Sequence, residues 1–166
     1  MGFDWGVWFE PTQPVARLVS LAQRAEAQGA TVCFVADEGT ERDVYVALTA
    51  VLLQTRGMTV APAITNPFSR HPVTTAAAIA TLQELAPGRV WNGLGVGGSR
   101  VLSPLGLNPE KPFTALADAV HTTTELLAGN SVGPAVIPWS QASVPLAIAG
   151  RGPRVQRLAA ESADWG

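Results

Sequence analysis

The sequence predicts a parallel α/β fold, and three observations lead to it. Apolar, β-branched runs alternate with helical segments along the whole chain. The first four strands, starting at Phe3, Thr31, Met58 and Val90, are spaced by roughly thirty residues, the length of a strand plus a helical crossover. Polar and Gly-rich sequence gathers just after the strands, above all in Thr65-Asn66-Pro67-Phe68-Ser69-Arg70-His71-Pro72. In parallel α/β proteins that end of the sheet is where ligands bind.

The elements follow in order. Phe3 to Phe9 reads as a strand, aromatic with Val7 at its centre. Pro14 to Gln28 reads as a helix: Pro14 suits a first turn, Val15, Leu18, Leu21, Ala22 and Ala25 form an apolar stripe, and Gly29 stops it. Thr31 to Ala36 is apolar without alternation, as a strand buried on both faces should be. Asp43 can cap a helix over Val44 to Gln54. Met58 to Ile64 is a third strand, and Pro72 opens a helix over Val73 to Leu85. Val90 to Val96 is a fourth strand, with Gly88 ahead of it and Gly95, Gly97 and Gly98 at its far end. Pro112 to Leu127 is helical and ends near Gly129; Pro145 to Gly150 is a fifth strand, and Pro153 to Ser162 a fifth helix. The longer connections Ser99 to Lys111 and Asn130 to Ser143 read as lids or plain surface loops.

Such alternation fits a TIM barrel or a doubly wound sheet. A TIM (β/α)8 barrel needs eight units and about 250 residues. The 166 residues stop at Ala163-Asp164-Trp165-Gly166, where a sixth strand should begin. Residues 1–166 are therefore expected to form the N-terminal part of one barrel domain, five βα units and the start of a sixth. Such a chain is either a fragment or completes itself by association, because open apolar sheet edges invite pairing. A homo-oligomer is the expectation if it folds.

Apolar residues make up 47% and charged residues 14%, so the chain is globular. Net charge is −2 and the 11 Lys and Arg are scattered, which argues against a nucleic-acid or anionic-membrane partner. Cys33, alone inside an apolar run, is expected to be a buried structural thiol in a reducing cytoplasm. No residue set suggests a metal site. Met1-Gly2-Phe3-Asp4-Trp5 has neither a basic nor an apolar leader pattern, and no apolar run approaches the ~20 residues of a membrane-spanning helix.

Five segments carry a resemblance: Val35-Ala36-Asp37-Glu38, Thr65 to Pro72, Gly93-Leu94-Gly95-Val96-Gly97-Gly98, Leu105-Gly106-Leu107 and Ala149-Gly150-Arg151-Gly152-Pro153. In this order and spacing they resemble the bacterial luciferase-like superfamily, and most closely its methylenetetrahydromethanopterin reductase branch. The resemblance implies a TIM barrel with a coenzyme across the carboxyl ends of its strands, either the deazaflavin F420 or FMN. It implies an oxidoreductase that passes a hydride between F420 (or reduced flavin) and a small organic substrate, for example a methylenetetrahydromethanopterin-like one. The alternatives are an FMN-dependent monooxygenase of the same fold and a non-catalytic half-barrel.

The resemblance also implies site residues. Gly93, Gly95, Gly97 and Gly98 would let a flat ring or ribityl chain approach the backbone, or else form a tight strand-to-loop bend. The turn Gly150-Arg151-Gly152, leading into a helix at Pro153, is the expected coenzyme-phosphate site, since free N–H groups and the helix dipole favour an anion. Asn66 suits the ring edge, or else caps its own turn before Pro67. The Ala63–Ile64 peptide stands where the family has a non-prolyl cis bond behind the ring. Asp37 and Glu38 can serve acid–base chemistry, bind coenzyme hydroxyls or contact substrate, or Asp37 can pair with Arg42. Glu38 stands where family members often have His. His71 can face the substrate or support its loop, and Arg70 can hold an acidic coenzyme tail or face water. Trp8 occupies the position of the reductases' proposed glutamate acid, which leaves Glu10, of the same strand parity, as the alternative proton-transfer group and Trp8 as a substrate wall.

Overall fold

The structure, a computed structural model, describes residues 5–140 and 143–165. The expected strand start at Phe3 and the terminal Gly166 lie outside the described residues. The element order is β1 (Gly6–Phe9), α1 (Val15–Ala27), β2 (Val32–Val35), α2 (Val44–Gln54), β3 (Thr59–Pro62), α3 (Pro72–Leu85), β4 (Asn92–Gly95), α4 (Ser99–Leu102), α5 (Pro112–Leu127), β5 (Leu146–Ala149) and α6 (Pro153–Ser162). All named strand pairs are parallel. Trp8 stands beside Phe34 and Phe34 beside Ala61, and Gly95 stands beside Ala149.

β3 and β4 join the two sheets through single bridges, Val60 with Val90 and Thr65 with Leu94. The result is a curl of five parallel strands with helices outside, the first part of a barrel. Trp165 bridges to Ala147 in parallel, as the first residues of a sixth strand. The regular strands are four residues long, shorter than the apolar runs that encode them. In β3 the reason is Pro62, which has no N–H to continue the ladder. Single backbone bonds extend the pairing further, Ala36 N–H to the Phe9 carbonyl at 2.9 Å and Ala63 N–H to that of Val35 at 2.8 Å.

Local chemistry explains the helices. Asp43 Oδ1 accepts from the N–H groups of Tyr45 and Val46 and starts α2. Proline opens α3, α5 and α6, where its missing N–H is no loss. The connection Ser99 to Lys111 is not a plain loop. It holds α4 and a 3-10 turn, Ser103–Leu105, closed by Gly106 in the left-handed region at φ +70°. The helical pattern there is too short to show periodicity.

The core lies between the outer face of the sheet and the helices. Leu18, Leu48, Met58, Val60, Ile79 and Leu126 fill one cluster, and Leu94, Leu116, Ile148 and Val155 fill another. The inner face carries aromatic side chains instead. Trp91 stacks on Trp165 at 5.2 Å, and Phe34 tilts against Trp91 at 6.0 Å.

Two buried-side features have measurable consequences. Burial pushes the Cys33 thiol up to about 12, so it carries almost no thiolate at neutral pH. A disulfide-exchange reagent at pH 8 should leave the native chain unmodified and react with one thiol per chain only after unfolding. At the amino-terminal end of the sheet, Glu26 Oε1 accepts from the N–H groups of Arg56, Gly57 and Met58 at 2.8–2.9 Å. Burial alone would raise this carboxyl, but the three donors and the nearby Arg89 outweigh it and hold it below its ordinary value. A depressed acid contributes stability above its ordinary pKa and loses it as pH falls through the folded value. Glu26→Gln should therefore lower the melting temperature most at neutral pH, and the gap to wild type should begin to close only below about pH 4.5, as pH falls through the lowered folded value.

Candidate functional site

A cleft of about 750 Å³ opens at the carboxyl ends of the strands. That size suits a cofactor-sized organic ligand. Four of the five strand ends contribute to it: Asp37 and Glu38 follow β2, Ala63, Ile64 and Asn66 follow β3, Gly97 and Gly98 follow β4, and Gly150, Arg151 and Gly152 follow β5.

The glycines do different work. Gly97 adopts φ +69°, and a Cβ there would press on Asn66 and Leu102 at 3.1–3.2 Å. A Cβ on Gly98 or Gly152 would meet no atom within 4 Å, so both face open space in the cleft. Gly95 has another role from the one its sequence position implied. It does not line the cleft, because the space its Cβ would need is taken by the Ile64 side chain and the Ala149 carbonyl.

The Ala63–Ile64 peptide is cis. Asn66 is only 2% exposed and does cap its own turn: Oδ1 accepts from the N–H groups of Phe68 and Ser69, and Nδ2 donates to Ser69 Oγ. It lines the cleft as well. Gly152 lines the cleft with Arg151 and precedes α6, where Pro153 has no N–H and the Val155 and Gln156 N–H groups donate to the Gly152 carbonyl at 3.0 Å. Arg151 has no ion-pair partner among the described residues.

Asp37 does not pair with Arg42. Arg42 Nη1 donates to the carbonyls of Pro11 and Thr12, while Asp37 Oδ2 accepts from Thr65 Oγ1 at 2.7 Å. Glu38 and Glu10 meet on one guanidinium, which sequence reasoning missed. Arg100, at the start of α4, places Nη2 2.8 Å from Glu10 Oε1 and 3.0 Å from Glu38 Oε1, with Nε 3.2 Å from Glu38 Oε2. Bonds to Glu38, then to Glu10, hold the Arg100 guanidinium firmly protonated. Only Glu38 of the two acids lines the cleft.

His71 and Arg70 lie away from the cleft. His71 Nδ1 accepts from the Val73 N–H and caps α3. Arg70 pairs with Asp43 at 2.8 Å and stacks over the Tyr45 ring at 4.5 Å, rather than reaching an anionic tail or water alone. Trp8 is half exposed beside the cleft, its indole N–H donating to the Ala63 carbonyl at 3.1 Å. Among the described residues no group of three or more His, Cys, Asp or Glu could hold a metal, and no helix is long and apolar enough to cross a membrane.

Parallel strands feeding Gly-rich and polar loops into one strand-end cleft define a partial α/β barrel. The family described as luciferase-like monooxygenase matches residues 3–165, and the chain belongs to it. The 5,10-methylenetetrahydromethanopterin reductase of Methanolobus tindarius is 30% identical over 96% of this chain and 52% of its own length. The F420-dependent glucose-6-phosphate dehydrogenase of Mycobacterium avium is 30% identical over 89% of this chain and 51% of its own. Among solved structures, the coenzyme F420-dependent tetrahydromethanopterin reductase of Methanopyrus kandleri superposes with a TM-score of 0.87 at 25% identity, covering 97% of this chain and 54% of that one. The chain thus spans about half the length of the relatives it matches.

The Arg100 tie can be tested directly. Arg100→Ala should leave the melting temperature nearly unchanged, because exposed ion pairs contribute little. It should weaken binding of an anionic ligand in the cleft, because Glu38 and Glu10 lose their shared cation. Thermal melts and ligand titration of the same preparations check both halves.

Proposed function

We propose that this chain carries the coenzyme-binding part of an F420-dependent oxidoreductase that exchanges a hydride with a small organic substrate. One observation carries the reading: the cleft joins open glycine positions at Gly98 and Gly152 to the turn before α6 and to Arg151, which has no ion-pair partner among the described residues. That combination offers room for a flat ring at one end and an anion site at the other. The relatives named for F420 support the deazaflavin over FMN.

When bound, the coenzyme supplies the hydride chemistry. The chain's residues would bind and orient it. The Gly150-Arg151-Gly152 turn before α6, with the Arg151 guanidinium, would hold the phosphate. The Ala63–Ile64 peptide and Ile64 back the ring, and Asn66, with its turn already satisfied, fixes the loop at the ring edge. Gly97 and Gly98 let the coenzyme lie against backbone. Asp37 is the proton-transfer group in this reading, because Glu10 stands outside the cleft and is held by Arg100. Trp8 offers an aromatic wall beside the cleft, which suits a flat heteroaromatic substrate such as a pterin.

Fluorescence titration of the chain should give a micromolar dissociation constant for F420 and a weaker one for FMN. Gly98→Val puts bulk into open cleft without touching the fold, and it should weaken F420 binding at least about tenfold at an unchanged melting temperature, since filling a ligand's space costs more than one poor contact. A clear preference for FMN would turn the reading to a monooxygenase. Binding of neither coenzyme by the folded chain would leave a non-catalytic half-barrel.

A further inference from the structure

Among the described residues Asp37 is the one cleft carboxylate that no cation holds, yet it is not loose. Thr65 is fully buried and fixed from both sides by backbone bonds. Its N–H donates to the Gly93 carbonyl at 3.0 Å, and its carbonyl accepts from the Gly95 N–H at 2.9 Å. This grip leaves the hydroxyl aimed at Asp37 Oδ2, at a distance typical of a hydroxyl on an ionised carboxylate. Asp37 Oδ1 has no hydrogen-bond partner among the described residues, so it is the oxygen available to a ligand.

Behind Thr65 lies Tyr45, whose buried hydroxyl reaches no hydrogen-bond partner although the Thr75 and Thr65 hydroxyls lie near it. Burial pushes this phenol up to about 12, and the neighbouring hydroxyls and Arg70 offset only part of that rise. Tyr45 therefore stays a neutral hydroxyl behind Thr65 and brings no competing charge to Asp37.

We propose that Thr65 is the positioning residue for Asp37, its hydroxyl clamping Oδ2 so that Oδ1 points at the bound coenzyme or substrate. This rests on the reading of the cleft as a coenzyme site. A buried hydroxyl at this position has a simpler alternative, namely to satisfy the fold alone. The two differ in whether the effect passes through Asp37.

The test uses Thr65→Val, which keeps the shape and removes the donor, Thr65→Ser, which keeps the donor, Asp37→Asn, and the Thr65→Val/Asp37→Asn pair. F420 binding is read by fluorescence and folding by thermal melts. Loss of a hydrogen bond to a charged group should weaken binding about tenfold in Thr65→Val. Thr65→Ser should bind within about threefold of wild type, and Thr65→Val should add no further loss in the Asp37→Asn background. Wild-type binding by folded Thr65→Val, no rescue by Ser, or losses that multiply in the pair would overturn the proposal.

A second readout needs no coenzyme. The Asp37 carboxyl 13C signal at neutral pH should move in Thr65→Val and return in Thr65→Ser. An unmoved signal would sink the clamp. If wild type binds no coenzyme while the signal moves and returns as expected, the functional reading fails and the clamp stands.

Discussion

The cleft depends on how closely β3 and β4 approach. The two strands share only two bridges, yet they must place the β3 and β4 loops side by side. Gly93 and Gly95 make this possible. Cβ atoms there would collide with the Pro62 carbonyl and the Ile64 side chain. With both absent, Thr65 slots between the strands and binds Gly93 and Gly95 through its own backbone. Ile64 is thereby pinned against β4, and Thr65 meets Asp37 from β2. Three strand ends are held in one arrangement by a single close contact, which only residues without side chains permit.

The charges in and around the cleft sort into held and available groups. Glu38, in the cleft, and Glu10, outside it, are tied to Arg100, and Arg70, away from it, to Asp43. Asp37 and Arg151 have no ion pair among the described residues. An acid after β2 and a base after β5 therefore flank an open, glycine-lined space. This arrangement separates an anion site from a hydrogen-bonding site, as a ligand with a charged end and a polar ring requires. The ion pairs at the mouth keep it from being strongly acidic, which would repel such a ligand.

Much of this was legible in the sequence because it rests on local signals. Pro72, Pro112 and Pro153 mark helix starts, and Asp43 marks a cap, because the chemistry of each lies within a few residues of its position. His71 could have been assigned to the α3 cap on the same grounds, since it sits directly before Pro72. Arg100 could not. Its partners lie 62 and 90 residues away, and no spacing rule reaches that far. The Glu26 nest and the Asp37–Thr65 contact are hidden for the same reason. Gly95 misled because a glycine at a strand end signals close approach without saying what approaches. Here it is another strand rather than a ligand.

The outer layer explains why a partial barrel can hold a site at all. Both apolar clusters lie between strands and helices, and their large side chains are fully buried within these five units. The cleft loops spring directly from those strands, so their positions are set by packing the chain already contains. The inner face is different. Trp8 and Trp165 are each more than half exposed, and Phe34 and Trp91 line the same side. Together these side chains form an exposed aromatic face. The cleft loops thus rest on a packed core, whereas Trp8 belongs to that exposed face. Under the proposed function, coenzyme binding and substrate choice would therefore depend on different parts of the fold.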